Sequence, residues 1–292
     1  MTTKILFLRL SATLVFALLA LPLFANETKK DSVTYGWKVT GEGSVGFSQI
    51  ALSNWTSGGE NSYSLNGLLN LGANLITKKS VWQNSLNLGY GFQNLKESGT
   101  KKINDQLILN SQYGYKASGN WYYSARANLQ TQFASGYDYS KTPRAYTSAW
   151  FAPAYLLTSL GMEYINKSKT LSVIISPATC KFTFVSSPYL SSIGAFGVTP
   201  GSHSYSEFGG SVAAKFKKEN ILTNVNLETS LGLFSNYKEE PKNIDVNWQV
   251  LVFMKINKFL GTTLSTQLIF DDNVSGQVQF KEILNVGLSY SF

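Results

Sequence analysis

His203 is the only imidazole in the 292-residue chain, and Ser202, Ser204 and Ser206 lie close to it. A serine beside a histidine suggests acyl transfer, in which the imidazole takes the hydroxyl proton as the oxygen attacks a carbonyl. In an extended strand, however, Ser204 projects to the face opposite His203, because successive side chains alternate. No second motif supplies a nucleophile, so the expectation is an exposed histidine near a loop and no enzymatic activity. Cys180 is the single cysteine. One thiol and one imidazole exclude an internal disulfide and a Cys/His metal cluster. No catalytic, cofactor-binding or metal-binding residue is therefore assigned.

Four charges, Arg126, Glu163, Glu228 and Lys255, fall on predicted inward faces. On the inner wall of a pore such charges form a constriction that selects ions or small polar solutes. Buried without a water path, they pair with one another and seal the interior. Both readings stand at this point. The segment Trp55-Thr56-Ser57-Gly58-Gly59 presents an indole suited to stacking on a sugar. The structural reading of the same residues is a hairpin loop in which Gly58 and Gly59 accept positive φ and Trp55 anchors at an interface. That second reading is the expected one.

The elements that position these residues are strands. From Tyr63 to Leu75 the odd positions are mostly apolar (Tyr63, Leu65, Leu69, Leu71, Leu75), while Ser64, Asn66, Asn70 and Asn74 lie between them. Period-two alternation of this kind places one set on each face of a sheet. The pattern recurs over 82–92, 121–133, 225–233 and 260–270. A soluble sandwich would carry many Lys and Glu on its outer faces. Here the polar face is mainly Asn, Gln, Ser, Thr and Gly, which favours a confined lumen.

Composition agrees. Charged residues make up 14% of the chain and aromatic residues another 14%, whereas soluble domains carry roughly 25% charge. The net charge of +8 falls to +6 without Lys4 and Arg9, and the lysines are scattered among short turns. Nucleic-acid binding has no support in that distribution.

Five short, often basic connections (such as 77–80 and 166–169) alternate with six longer or more irregular ones (53–61, 95–104, 135–149, 186–202, 236–243 and 271–276). Interleaved in this way they imply about twelve strands, with short turns on the periplasmic side and long loops outside. Trp37, Tyr63, Trp82, Trp121, Trp150 and Phe270 begin or end apolar rows, as rings at a membrane interface do. Around Pro177 the apolar set switches from Leu171, Val173 and Ile175 to Cys180, Phe182 and Phe184. A β-bulge is expected there. Leu251 and Phe253 fall on an inward face, so apolar packing is expected in part of the lumen.

Lys4 and Arg9, the apolar run 10–24 and Ala25 have the order of a secretory signal cleaved near Ala25. Beyond it no apolar stretch is long enough for a spanning helix, so a membrane location requires a closed barrel. The expected organisation is a signal peptide (1–25), a periplasmic segment (26–36) and an antiparallel up-and-down transmembrane β-barrel (37–292). The final row Leu284, Val286, Leu288, Tyr290 and Phe292 resembles the C-terminal assembly signal of bacterial outer-membrane proteins. That resemblance carries the assembly role to Leu288, Tyr290 and Phe292.

Residues 47–61, with the Trp-Thr-Ser-Gly-Gly element after the first strand, resemble an uncharacterised family of outer-membrane barrels best known from Bacteroidota. The resemblance implies a barrel in the outer membrane and brings no agreed activity. The expected partners are outer-membrane lipid, the barrel assembly machinery and, from the amide-rich inner face, a small polar solute. The leading expectation is a narrow barrel that binds or admits such a solute. A plugged structural or interaction barrel is the alternative. A third reading is an acyl hydrolase, since some outer-membrane phospholipases place Ser-His-Asn on a barrel of similar size.

Overall fold

The computed structural model describes residues 35–53 and 60–291. The expected signal peptide, most of the expected periplasmic segment, Trp55, Gly58, Gly59 and Phe292 lie outside the described residues. The strands in chain order are β1 (Gly36–Ile50), β2 (Ser62–Ile76), β3 (Ser80–Leu95), β4 (Gly99–Ser118), β5 (Trp121–Thr131), β6 (Gly136–Asp138), β7 (Ala145–Ser148), β8 (Ala154–Ile165), β9 (Leu171–Phe184), β10 (Ser204–Leu222), β11 (Val225–Asn236), β12 (Ile244–Lys255), β13 (Leu260–Asp271) and β14 (Ser275–Ser291). Strands β6 and β7 form a separate hairpin, and the other twelve close into one barrel. Every neighbouring pair is antiparallel, and β14 returns to β1. This is the expected up-and-down barrel.

The alternation decides which way each strand faces. On β2, Tyr63, Leu65 and Leu69 are exposed while Asn66 and Leu68 are buried. On β5, Trp121 and Tyr123 are exposed while Ser124 and Asn128 are buried. The outer surface is thus apolar and the inner one largely polar, the reverse of a soluble protein. Such a wall is stable only where the outside is hydrocarbon. Aromatic rings cluster near the short-turn end, where Trp37 packs on Trp82 (centroids 5.8 Å apart) and Trp121 on Tyr164 (5.4 Å). A second set sits near the loop end, with Tyr63 on Phe92 and Phe208 on Tyr237. Two such girdles flank the apolar band of a transmembrane barrel.

Short polar side chains make the tight turns. Thr77 Oγ1 accepts from the backbone N–H of Ser80 (2.8 Å), and Asn166 Oδ1 accepts from those of Thr170 and Leu171. Asn257 Oδ1 does the same for Phe259 and Leu260. Each side chain takes over backbone donors that the reversal leaves unpaired.

The register shifts on both sides of β9 fall around Pro177, between Ser176 and Thr179 against β10 and between Ile175 and Ala178 against β8. The expected bulge is there, and beyond it the inward set becomes Thr179, Lys181 and Thr183, all buried. Two connections differ from expectation. The segments 95–104 and 271–276 are not long loops, because the strands run through them and reverse at 96–98 and 272–274. Their turn-forming residues lie at the tips of hairpins whose strands stay paired up to the reversal.

The loop-side connections after β5 and β9 pack on each other. The second contains helix α1 (Pro188–Ser192), with Ser187 as its N-cap, and a single 3₁₀ turn (Ala195–Gly197). Ala152, Val185, Leu190 and Val198 form a small buried core between the two connections. Arg144 Nη2 donates to the Ser98 carbonyl (2.5 Å) and its guanidinium lies over the Tyr139 ring, whose hydroxyl accepts from Lys102 N. The carboxylate of Glu60 accepts from the backbone N–H groups of Glu97 and Ser98. These bonds tie the loop-side connections into one cap.

Candidate functional site: the lumen

The inward rows bring amides from separate walls into contact. Asn110 Nδ2 donates to Ser85 Oγ (3.3 Å), and Asn128 Nδ2 donates to Asn110 Oδ1 (2.6 Å). Gln130 Nε2 donates to Asn128 Oδ1 (3.0 Å). Asn247 Nδ2, on β12, then reaches Gln130 Oε1 on β5 (3.2 Å), and Gln249 and Gln267 both donate to Asn247 Oδ1. The result is a chain of side-chain amides from β4 to β13, ended on β3 by the Ser85 hydroxyl, that crosses the interior. A second bridge runs from Lys281 Nζ on β14 to Gln106 Oε1 on β4 (3.1 Å). Amides suit this task because each carries both donor and acceptor, so a relay leaves few unpaired groups. Apolar side chains fill other parts of the inner face: Leu68, Ile108, Ile174, Phe234 and Phe253 are buried. Phe253 matches the expected apolar packing.

The four charges singled out from sequence do not form one ring. Glu163 is 1% exposed and accepts from Ser172 Oγ (2.6 Å), and Arg126 on neighbouring β5 lies within electrostatic reach of it. Glu228, on a different wall, pairs with Lys215 (2.7 Å) and Lys217 (3.7 Å) of β10. Lys255 ends its inward row as an exposed residue at the short-turn mouth. Leu288 lies on the outward apolar row of β14 and is exposed.

The most concentrated charge is elsewhere, toward the loop side. Lys181 Nζ lies 3.1 Å from Glu207, 2.5 Å from Asp245 and 2.7 Å from Asp271. It also sits 5.5 Å from the centre of the Phe234 ring. Asn236 and Asn273 both donate to Glu207. The cluster joins β9, β10, β12 and β13 across the inner wall. Its signal was in the sequence: the face switch at Pro177 turns Lys181 inward, and Asp245 shares the parity of Phe253. Asp245, Asp271 and Asp272 also bring three carboxylates close together.

His203 is exposed, and its Nδ1 hydrogen-bonds to the Val185 carbonyl (2.8 Å). Ser202 Oγ donates to the Ser204 carbonyl (2.9 Å). Neither hydroxyl nor ring forms the nucleophile–base contact that acyl transfer requires.

Residues 47–137 match the model of a family described as a protein of unknown function, DUF3078. The matched region contains the Trp-Thr-Ser-Gly-Gly loop, in accord with the resemblance drawn from it. No curated protein matches the chain. Among solved structures, the translocator domain of the autotransporter NalP from Neisseria meningitidis is similar at 12% identity and a TM-score of 0.34, covering 90% of each chain. The β domain of the Bordetella autotransporter Brka is similar at 15% identity and 0.35, covering 88% of this chain and 100% of that one. An active-site mutant of outer membrane phospholipase A from Escherichia coli is similar at 12% and 0.37, covering 91% and 94%. These are likenesses of barrel architecture.

Proposed function

We propose that this is an outer-membrane barrel whose lumen is closed to free passage of solutes, and that it serves as a structural or interaction protein through its loop-side cap. The observation that carries the reading is the amide chain across the interior, from Ser85 through Asn128 and Gln130 to Asn247 and Gln267. An open pore keeps its wall groups hydrated and apart, whereas here opposite walls bond directly. The Lys281–Gln106 bridge, the buried Phe253 and the cap support the same reading. Outer-membrane lipid is the medium for its apolar wall, and the exposed C-terminal row Leu284, Val286 and Leu288 supports insertion by the barrel assembly machinery.

Planar-bilayer recording of the purified protein tests it. Closed bilayers, together with liposomes that exclude small sugars and amino acids, are the expected result. Steady unitary conductance would overturn it. A narrow cation path is the second reading, favoured by the three carboxylates that surround the single Lys181. It requires conductance with cation selectivity that disappears in the Asp245→Asn variant. We further propose that the protein is not an acyl hydrolase, because the hydrogen bonds of His203 and Ser202 are directed to backbone carbonyls. Lipid hydrolysis that is lost in His203→Ala would refute this.

A further inference from the structure

The wall is not uniformly sewn. Among the described residues, eleven of the twelve barrel ladders hold ten to sixteen residue pairs, but β1 and β14 share only five, from Glu42↔Ser291 to Gly46↔Gly287. All fifteen residues of β1 pair with β2 on its other side. Likewise β14 pairs along most of its length with β13. Past Gly46 the next pairs in register, Phe47 to Ile50 against Val286 to Ile283, are missing. Both strands therefore present edge backbone beside the short ladder.

The outer face of the seam is apolar, with Val45, Phe47, Leu284 and Leu288 all exposed. An apolar groove lined by Val45, Leu69, Tyr90, Phe259, Leu288 and Tyr290 runs over the joint.

The joint itself is thin. The two strands touch through glycines: a Cβ on Gly287 would fall 2.1 Å from the Val45 carbonyl oxygen, and one on Gly46 would fall 1.6 Å from Asn285 Oδ1. Asn285 is 7% exposed and its Nδ2 is buried without a partner. The ladder thus stops beside a buried amide whose Nδ2 makes no hydrogen bond among the described residues.

We propose that the β1–β14 seam is a joint that parts within the membrane and accepts an extended strand from another polypeptide. The chemistry of the occupant follows from the medium. Hydrocarbon offers no hydrogen bonds, and each unpaired backbone group there costs several kcal/mol. Only another backbone supplies N–H and C=O groups at strand spacing, and the free edges continue the existing ladder in the same direction. An alternating segment with one apolar face fits, since its apolar side chains would fill the groove and its polar ones would face the amide-lined interior.

The probe is a fluorescently labelled peptide copying β1 (Gly36–Ile50), which carries the register that β14 recognises, offered to the full-length folded barrel in detergent. The barrel carries Ser44→Cys and Ser289→Cys, directly opposed on the seam, in a Cys180→Ser background. The reduced form is expected to bind the peptide saturably, and the disulfide form at least tenfold more weakly. A control staple, Asn70→Cys with Asn87→Cys on β2 and β3, is expected to leave binding unchanged. No binding to the reduced form, or equal binding to both, overturns the proposal. Should the seam pair fail to fold, amide exchange of the wild-type barrel decides. Val45 and Leu288 are expected to exchange at least tenfold faster than Leu69 and Leu88, and equal protection overturns the proposal.

Discussion

Replacing Lys181 by methionine removes the cation held by Glu207, Asp245 and Asp271 and leaves the three carboxylates facing one another. Lys181 and Glu207 are almost wholly buried, and the three Nζ···O distances are 3.1, 2.5 and 2.7 Å. At an effective dielectric of about 20, one unit pair near 3 Å is worth roughly 5 kcal/mol before desolvation is subtracted. Desolvation cancels much of that attraction, so the net worth of the intact cluster is small. Removing one partner is different, because the remaining charges stay buried and uncompensated; measured losses of this kind are about 3–5 kcal/mol. The expected cost of Lys181→Met is therefore about 3–5 kcal/mol, read by urea unfolding in lipid vesicles with tryptophan fluorescence. Neutralising the partners together (Lys181→Met with Glu207→Gln, Asp245→Asn and Asp271→Asn) should recover most of the loss. Acid should also shrink the difference, because protonated carboxylates no longer repel one another. A Lys181→Met barrel as stable as the wild type at neutral pH would refute the reasoning.

Further outcomes are expected elsewhere. Gln130→Ala with Asn247→Ala and Lys281→Ala cuts both interior bridges, and bilayer recording should then show conductance that the parent lacks. The backbone N–H groups of Glu97 and Ser98 hold the Glu60 carboxyl below its ordinary value of 4.5. A lowered folded pKa means the tie is fully present above that value and is lost as the pH falls through the depressed one. Glu60→Gln should therefore speed protease cleavage of the 95–99 turn at neutral pH and erase the difference in strong acid. Gly287→Ala places a methyl against the Val45 carbonyl, and should slow closure of the barrel, seen as loss of the heat-modifiable compact band on gel electrophoresis.

The barrel was legible because lipid enforces a simple code. Where every outward residue must be apolar, Tyr63 to Leu75 cannot read as anything but a two-faced strand. The bulge was legible for the same reason, since Pro177 and the switch of apolar parity coincide. Parity also located Glu163 and Glu228 on inner faces, but it contains no information on which wall lies opposite. Whether Asn247 meets Gln130 depends on strand tilt and stagger around the whole barrel, which no local pattern encodes. The Lys181 cluster failed to emerge for a related reason: its four members come from four strands and converge only after closure. Two hairpin tips were read as longer or more irregular connections because their residues lack the apolar alternation while keeping their pairing. The short β1–β14 ladder is likewise a property of closure, invisible until the last strand meets the first.

Single cysteines at successive positions of β2, in a Cys180→Ser background, give the most direct test of a lipid-facing outer wall around an enclosed interior. Labels on Leu69 and Leu71 should be quenched by brominated acyl chains in vesicles, whereas labels on Asn70 and Asn74 should be shielded from them. Quenching without alternation, or a protein that stays soluble and folded without detergent, would contradict the account.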